Sequence, residues 1–393
     1  MSAHPDETQA PTHNRRNRML RWGVPAGIAA VAIAVPASGA VLNADPAPTL
    51  PPMTAQQLLA AVQTAKVNGL SGTVVQTSDL GLPELPGLTG TGAPTGGSSS
   101  LSSMVSGSHT LRVWYAGPDK ARIALLGQLG ESDVILNSHD LWVWSSSDHS
   151  ATHTTLPERK RTSGTPSPGK EHPLANATPQ EIAADLLKAI GPTTTVTTTG
   201  SSTVAGRPAY ELLIQPKDNR SLVGQVRVAI DGATKLPLQV EVFAAGAGKP
   251  AIKVGFSQVN FSAPSADNFT FTPPPGTKVN QQNTPKKQLP DPKKKIQSLP
   301  ANERPNVVGT GWTSVVVAKL PAGALSGQPA QGDRREGQQS VQGILNSLPK
   351  VSGSWGSGRL LSSSLFSALI TDDGRVLVGA VKPELLYAAA AQK

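Results

Sequence analysis

Between residues 70 and 280, apolar and polar side chains alternate with a period of two in one segment after another. The clearest case is 224–243. Val226, Val228 and Ile230 alternate with Gln225, Arg227 and Ala229, and Leu236, Leu238, Val240 and Val242 then alternate with Gln239 and Glu241. Asp231-Gly232 between them supplies a turn, because Gly tolerates the positive φ of a tight reversal. This pattern predicts a β-hairpin. The same period predicts strands at 71–77, 111–115, 121–126, 133–137, 141–144, 193–199, 209–215 and 252–261, with turn residues between them. The stretch 145–175 reads as polar and irregular, and 80–108, rich in Gly, Ser, Thr, Pro and Leu, as a long insertion. Two capping boxes, Thr54 with Gln57 and Thr178 with Glu181, open helices whose buried sides are Leu58, Leu59 and Val62, and Ile182, Leu186 and Ile190. After residue 305 the pattern predicts a strand at 313–320, a helix at 340–348 and an extended apolar stretch at 359–370. An Asp372-Asp373-Gly374 turn, a strand at 375–381 and a helix opened by Pro383 then close the chain.

The first 44 residues do not belong to this pattern. Residues 1–21 form a polar tail ending in Arg15, Arg16, Arg18 and Arg21. Residues 22–44 carry no charge and are long enough to cross a bilayer core of about 30 Å. They read as a membrane anchor or as a secretory signal with Ser38-Gly39-Ala40 as its cleavage site. Either reading leaves the arginines in the cytoplasm and places everything after residue 45 on the extracytoplasmic face. A Pro-rich spacer occupies 45–53.

Composition narrows the chemistry. There is no Cys, which removes disulfides, thiolate metal sites and cysteine nucleophiles. The net charge of +9 is concentrated in the arginine tail and in a Lys/Pro-rich linker at 281–305. The remainder lacks the basic face of a nucleic-acid binder. Gly164–Lys170 has phosphate-loop spacing, but Glu171 replaces the hydroxyl residue and two prolines remove backbone donors. His149 and His153 beside Asp148 lie in a segment with no helical pattern, so their spacing does not bring the rings together for a metal. No serine-hydrolase elbow or zincin motif occurs. No catalytic residue, metal or cofactor is expected.

The order of elements carries a resemblance. It consists of a capped helix, a Val75-Gln76-Thr77 strand end, a strand pair through Gly117-Pro118-Asp119-Lys120, and Val134-Ile135-Leu136-Asn137 running into Leu141-Trp142-Val143-Trp144. A second capped helix, the hairpin of 227–242 and a closing Phe269-Thr270-Phe271-Thr272-Pro273 complete it. Over 54–280 this resembles the LolA family of periplasmic lipoprotein carriers and its relative RseB. The resemblance implies an α+β chain: an incomplete, strongly bent antiparallel β half-barrel with helices over its concave side and a cavity for acyl chains. RseB-like proteins add a small α+β C-terminal domain, as 306–393 would here, which contacts a membrane anti-sigma factor. The end of that domain is similar to Gly379-Ala380-Val381-Lys382-Pro383-Glu384. The family's carriers have an arginine before the proline of the second-strand turn. Gly117 stands there in this chain, and a basic gate is not carried over.

The expected function is therefore an extracytoplasmic lipid or lipoprotein carrier, the alternative an envelope-stress regulator with a membrane protein partner. The candidate lining comes from the predicted strands. From the first half it takes Val74, Val113, Trp114, Tyr115, Ile123, Leu125, Val134 and Leu136. The pair Trp142 and Trp144, two of only six tryptophans, reads equally as core and as an aromatic wall. From the second half come Leu212, Ile214, Val226, Val228, Ile230, Leu238, Val240 and Val242. About fourteen buried methylenes would contribute about 11 kcal/mol gross at about 0.8 kcal/mol each.

Overall fold

In the computed structural model of the chain, the residues described are 50–82, 106–127, 130–156, 187–188, 190–283, 304–320 and 345–392. The tail, the apolar segment 22–44, most of the predicted helix at 178–190 and the Gly164–Lys170 motif lie outside them. Among the described residues no helix is long and apolar enough to cross a membrane.

Helix α1 (Ala55–Thr64) starts where the capping box placed it. Thr54 Oγ1 accepts from the Gln57 amide, and the Gln57 side chain accepts from the Thr54 amide. Strands β1 (Leu70–Ser78), β2 (Gly107–Tyr115), β3 (Lys120–Leu126), β4 (Glu131–Asn137), β5 (Asp140–Ser145) and β6 (Ser150–Thr155) follow. Next come β7 (Thr194–Val204), β8 (Arg207–Pro216), β9 (Val223–Asp231), β10 (Pro237–Ala244), β11 (Pro250–Asn260) and β12 (Lys278–Asn283). All twelve join one open sheet in the order β12-β6-β5-β4-β3-β2-β1-β11-β10-β9-β8-β7. Every pairing is antiparallel except β12 with β6. The sheet curls: Val204, at the end of edge strand β7, packs with Val259 and Phe261 four strands away.

Residues directly paired across strands share a face. Tyr210–Ile230, Leu212–Val228 and Ile214–Val226 are such pairs, and Val228–Val240 and Val226–Val242 extend the rows onto β10. Leu58, fully buried, and Leu59 and Val62 of α1 pack on this face. Burying Leu58 alone is worth about 1.5–3 kcal/mol.

Several expectations need correction. Residues 145–175 are not wholly irregular, because 150–155 form β6. Its Ser/Thr-rich sequence carries no apolar alternation; Trp142 and Trp144 of β5 pair with His153 and Ala151 and so give it a partner. The 231–232 turn takes its positive φ at Lys235 (61°), not at Gly232. Asp231 instead ties the reversal down by accepting from the amides of Ala233 and Thr234. Leu238 does not follow the alternation of β10. A register shift between Pro237 and Gln239 makes it a bulge, and it packs with Ala209, Ala229 and Val204.

A second sheet contains β13 (Asn306–Val308), β14 (Val315–Lys319), β15 (Lys350–Gly353), β16 (Gly356–Ser362), β17 (Ser367–Thr371) and β18 (Arg375–Gly379). Its order is β13-β14-β18-β17-β16-β15. The apolar stretch 359–370 is two strands rather than one, reversed at Ser363–Phe366 by Ser363 Oγ, which accepts from the amides of Leu365 and Phe366. Helix α2 (Pro383–Ala391) covers one face, burying Leu386, Ala389 and Ala390 on Val315, Leu369 and Leu377.

The two sheets are clasped together. The Leu222 amide donates to Ala380 O (2.9 Å), and Ser221 bridges Val381. The Ser364 amide donates to Leu80 O (2.7 Å), and Trp312 Nε1 donates to Thr194 Oγ1 (2.9 Å). Leu365, from the second sheet, is buried in the core beneath α1.

Candidate functional site

The middle of the large sheet carries an apolar groove of about 350 Å³. Five neighbouring strands form it, in the order β3-β2-β1-β11-β10. Ile123 and Ala121 of β3 contribute to it, with Val113 and Tyr115 of β2 and Leu70 and Val74 of β1. Val254 and Phe256 of β11 and Val240 of β10 complete that set. Register explains why these meet. Ile123–Val113, Tyr115–Leu70, Val74–Phe256 and Val254–Val240 are direct partners, so one face of the five strands gathers these apolar side chains, with the buried Gln76 and His109 in the next row. Arg122 is the single charged residue along the walls.

Seven of the residues named from sequence line this groove: Val74, Val113, Trp114, Tyr115, Ile123, Leu238 and Val240. Six others, Leu212, Ile214, Val226, Val228, Ile230 and Val242, lie in or against the core under α1, where protein atoms already cover them. Val134 and Leu136 continue the groove's face onto β4, paired with Ile123 and Ala121. Leu125 is fully buried against Leu111. Trp142 and Trp144 point to the opposite face, where they pair with Ile135 and Asp133. There Trp142 stacks on His153 at 4.2 Å, and both tryptophans meet Phe271. His153 Nε2 contacts Asp140 Oδ1 at 2.7 Å, and His149 sits in a turn with φ 45°. Sequence reasoning missed Leu70, Ala121, Pro237, Val254 and Phe256 as lining residues. The alternation Ile252, Val254, Phe256 was the available signal for the last two.

Arg122 also anchors a charged cluster. Arg122 reaches over the Trp114 ring (5.3 Å to the centroid) to the fully buried Asp133 carboxylate, with Glu131 at 3.8 Å. Asn268, on the segment that carries Phe269 across this face, offers its carbonyl to Arg122. Burial, reinforced by Glu131, pushes the Asp133 carboxyl up to about 7, against the pull of Arg122. Asp231 shows the reverse balance. Burial would raise it, but the two hydrogen bonds from Arg207 (2.6 and 3.0 Å) and those from Thr234 hold it below the usual carboxylate range.

No protein-family model matches the chain, and no curated protein matches it. Solved structures do. The MucA/MucB complex of Pseudomonas aeruginosa is matched at 15% identity and a TM-score of 0.39, over 86% of this chain and 96% of that one. A LolA superfamily protein of Nitrosomonas europaea is matched at 12% identity and a TM-score of 0.20, over 56% of this chain and 99% of that one. A putative outer membrane lipoprotein-sorting protein domain from Vibrio parahaemolyticus is matched at 11% identity and a TM-score of 0.18, over 51% and 89%. The solved structures this chain is similar to thus include MucB and LolA superfamily proteins.

Proposed function

We propose that this chain is a binding protein for lipids or lipoproteins, holding hydrocarbon in the groove between β3 and β10 on the extracytoplasmic side of a membrane. The observation that carries the reading is the groove itself, an apolar wall shared by five paired strands. Apolar space of this size favours hydrocarbon over water, at about 25 cal/mol for each Å² removed from solvent. Helix α1 fills the neighbouring half of the same face, so an occupant is confined to the part the helix leaves open.

Native mass spectrometry of the full-length protein, purified from a bacterial envelope, tests this. A bound mass matching a lipid or an acylated peptide is expected. Val113→Arg, which puts a charge into the groove wall, should lose that mass while the thermal unfolding transition persists. A clean apo mass with no uptake of added fatty acid or diacyl lipid sinks the reading.

The second reading is a regulator that engages a protein partner through the smaller sheet. The face opposite α2 favours it. Val307, Val316, Val378, Ala368 and Leu361 form one directly paired row across five strands, and Val378 is 37% exposed. Val378→Lys would abolish partner capture and leave lipid uptake intact.

A further inference from the structure

We infer that the groove takes one hydrocarbon chain of about twelve carbons, so that its ligand class is single-chain amphiphiles or one acyl chain of a larger molecule. This rests on the reading of the groove as a lipid site. Strands lie about 4.8 Å apart, so the five strands from β3 to β10 span about 19 Å. A volume of about 350 Å³ spread over that length leaves a cross-section of about 18 Å². Apolar groups pack at about 4.0–4.5 Å, so one chain needs about 18 Å² and two side by side need about twice that. The volume agrees with the length. A methylene is about the size of a water molecule, whose share of liquid volume is about 30 Å³, and about twelve fill the groove.

The neighbouring apolar space is already occupied. On the β7–β10 side of the same face, Leu58, Leu59 and Val62 close over Leu212, Val226 and Val228. A second chain therefore has no adjoining channel on that side. The walls also give the site a ruler. Ala121 and Ile123 stand at the β3 end, and Val240 stands at the β10 end.

Competition against a bound fluorescent fatty acid, using the full-length protein and saturated fatty acids of eight to eighteen carbons, tests the inference. Affinity should rise about four-fold with each added methylene up to about twelve carbons and then level off. A diacyl phospholipid should compete no better than the lysophospholipid with the same chain. Ala121→Leu adds three carbons to the wall and should move the plateau down by about three, while Ile123→Ala should move it up by about three. A steady rise through eighteen carbons, or a diacyl lipid binding far more tightly than its single-chain counterpart, overturns the single-chain inference and leaves the lipid site standing. Absence of any binding overturns both.

Discussion

Asp133 is a carboxyl that the fold would rather keep protonated. Its folded value, about 7, lies above the ordinary 3.8 because it is buried beside Glu131. Between those two values the folded chain holds more protons at this group than the unfolded chain does. Stability therefore falls as pH rises from about 4 to about 7 and changes no further above that. The full shift corresponds to about 4 kcal/mol. Asp133→Asn should remove this slope: the drop in melting temperature between pH 4.5 and pH 8 shrinks, and an unchanged slope would refute the account. The sequence showed Asp133 as the polar start of a strand. It did not show the burial, because the segment that reaches this cluster, through the Asn268 carbonyl on Arg122, lies more than 130 positions away.

At the scale of elements, the β9–β10 hairpin depends on Asp231, which has the opposite balance. Its depressed value means that the stability it supplies is present above pH 4 and is lost as pH falls through the folded value. Asp231→Ala removes the Arg207 pair and the hydrogen bonds to Ala233 and Thr234 together. It should cost about 2–3 kcal/mol, read from chemical denaturation at pH 7. This hairpin also shows what was legible. Strands with strict alternation, such as 226–230, were placed to within a few residues, since the period alone defines them. The bulge at Leu238 was not legible: a register shift between Pro237 and Gln239 lets it pack with Ala209 and Ala229 while it still lines the groove. Strand β6 was missed because threonines and serines carry no apolar signal, and β12 because its Lys-Val-Asn-Gln-Gln-Asn sequence reads as linker.

For the whole molecule, the candidate site was legible as strands and not as a place. Each apolar position could be assigned to a face of its own strand, but which strands adjoin was hidden. β1 lies between β2 and β11, some 180 residues on in sequence, and only that pairing brings Val74 to Phe256. The helix was placed from its capping box, yet which half of the face it would fill was not in its sequence. That choice decides which of the named residues form core and which line the groove.

The clasp between the two sheets has a consequence for the chain between them. Residues 284–303 leave the large sheet from β12 and lead to β13, but the Leu222–Ala380 and Ser364–Leu80 hydrogen bonds and the buried Leu365 hold the sheets together without them. Covalent continuity at this point is therefore dispensable. A protease site placed within 284–303 should yield two fragments that still migrate as one particle in size-exclusion chromatography and part only in denaturant. The two pieces, made separately, should find each other again and restore the unbroken protein's melting temperature to within a few degrees.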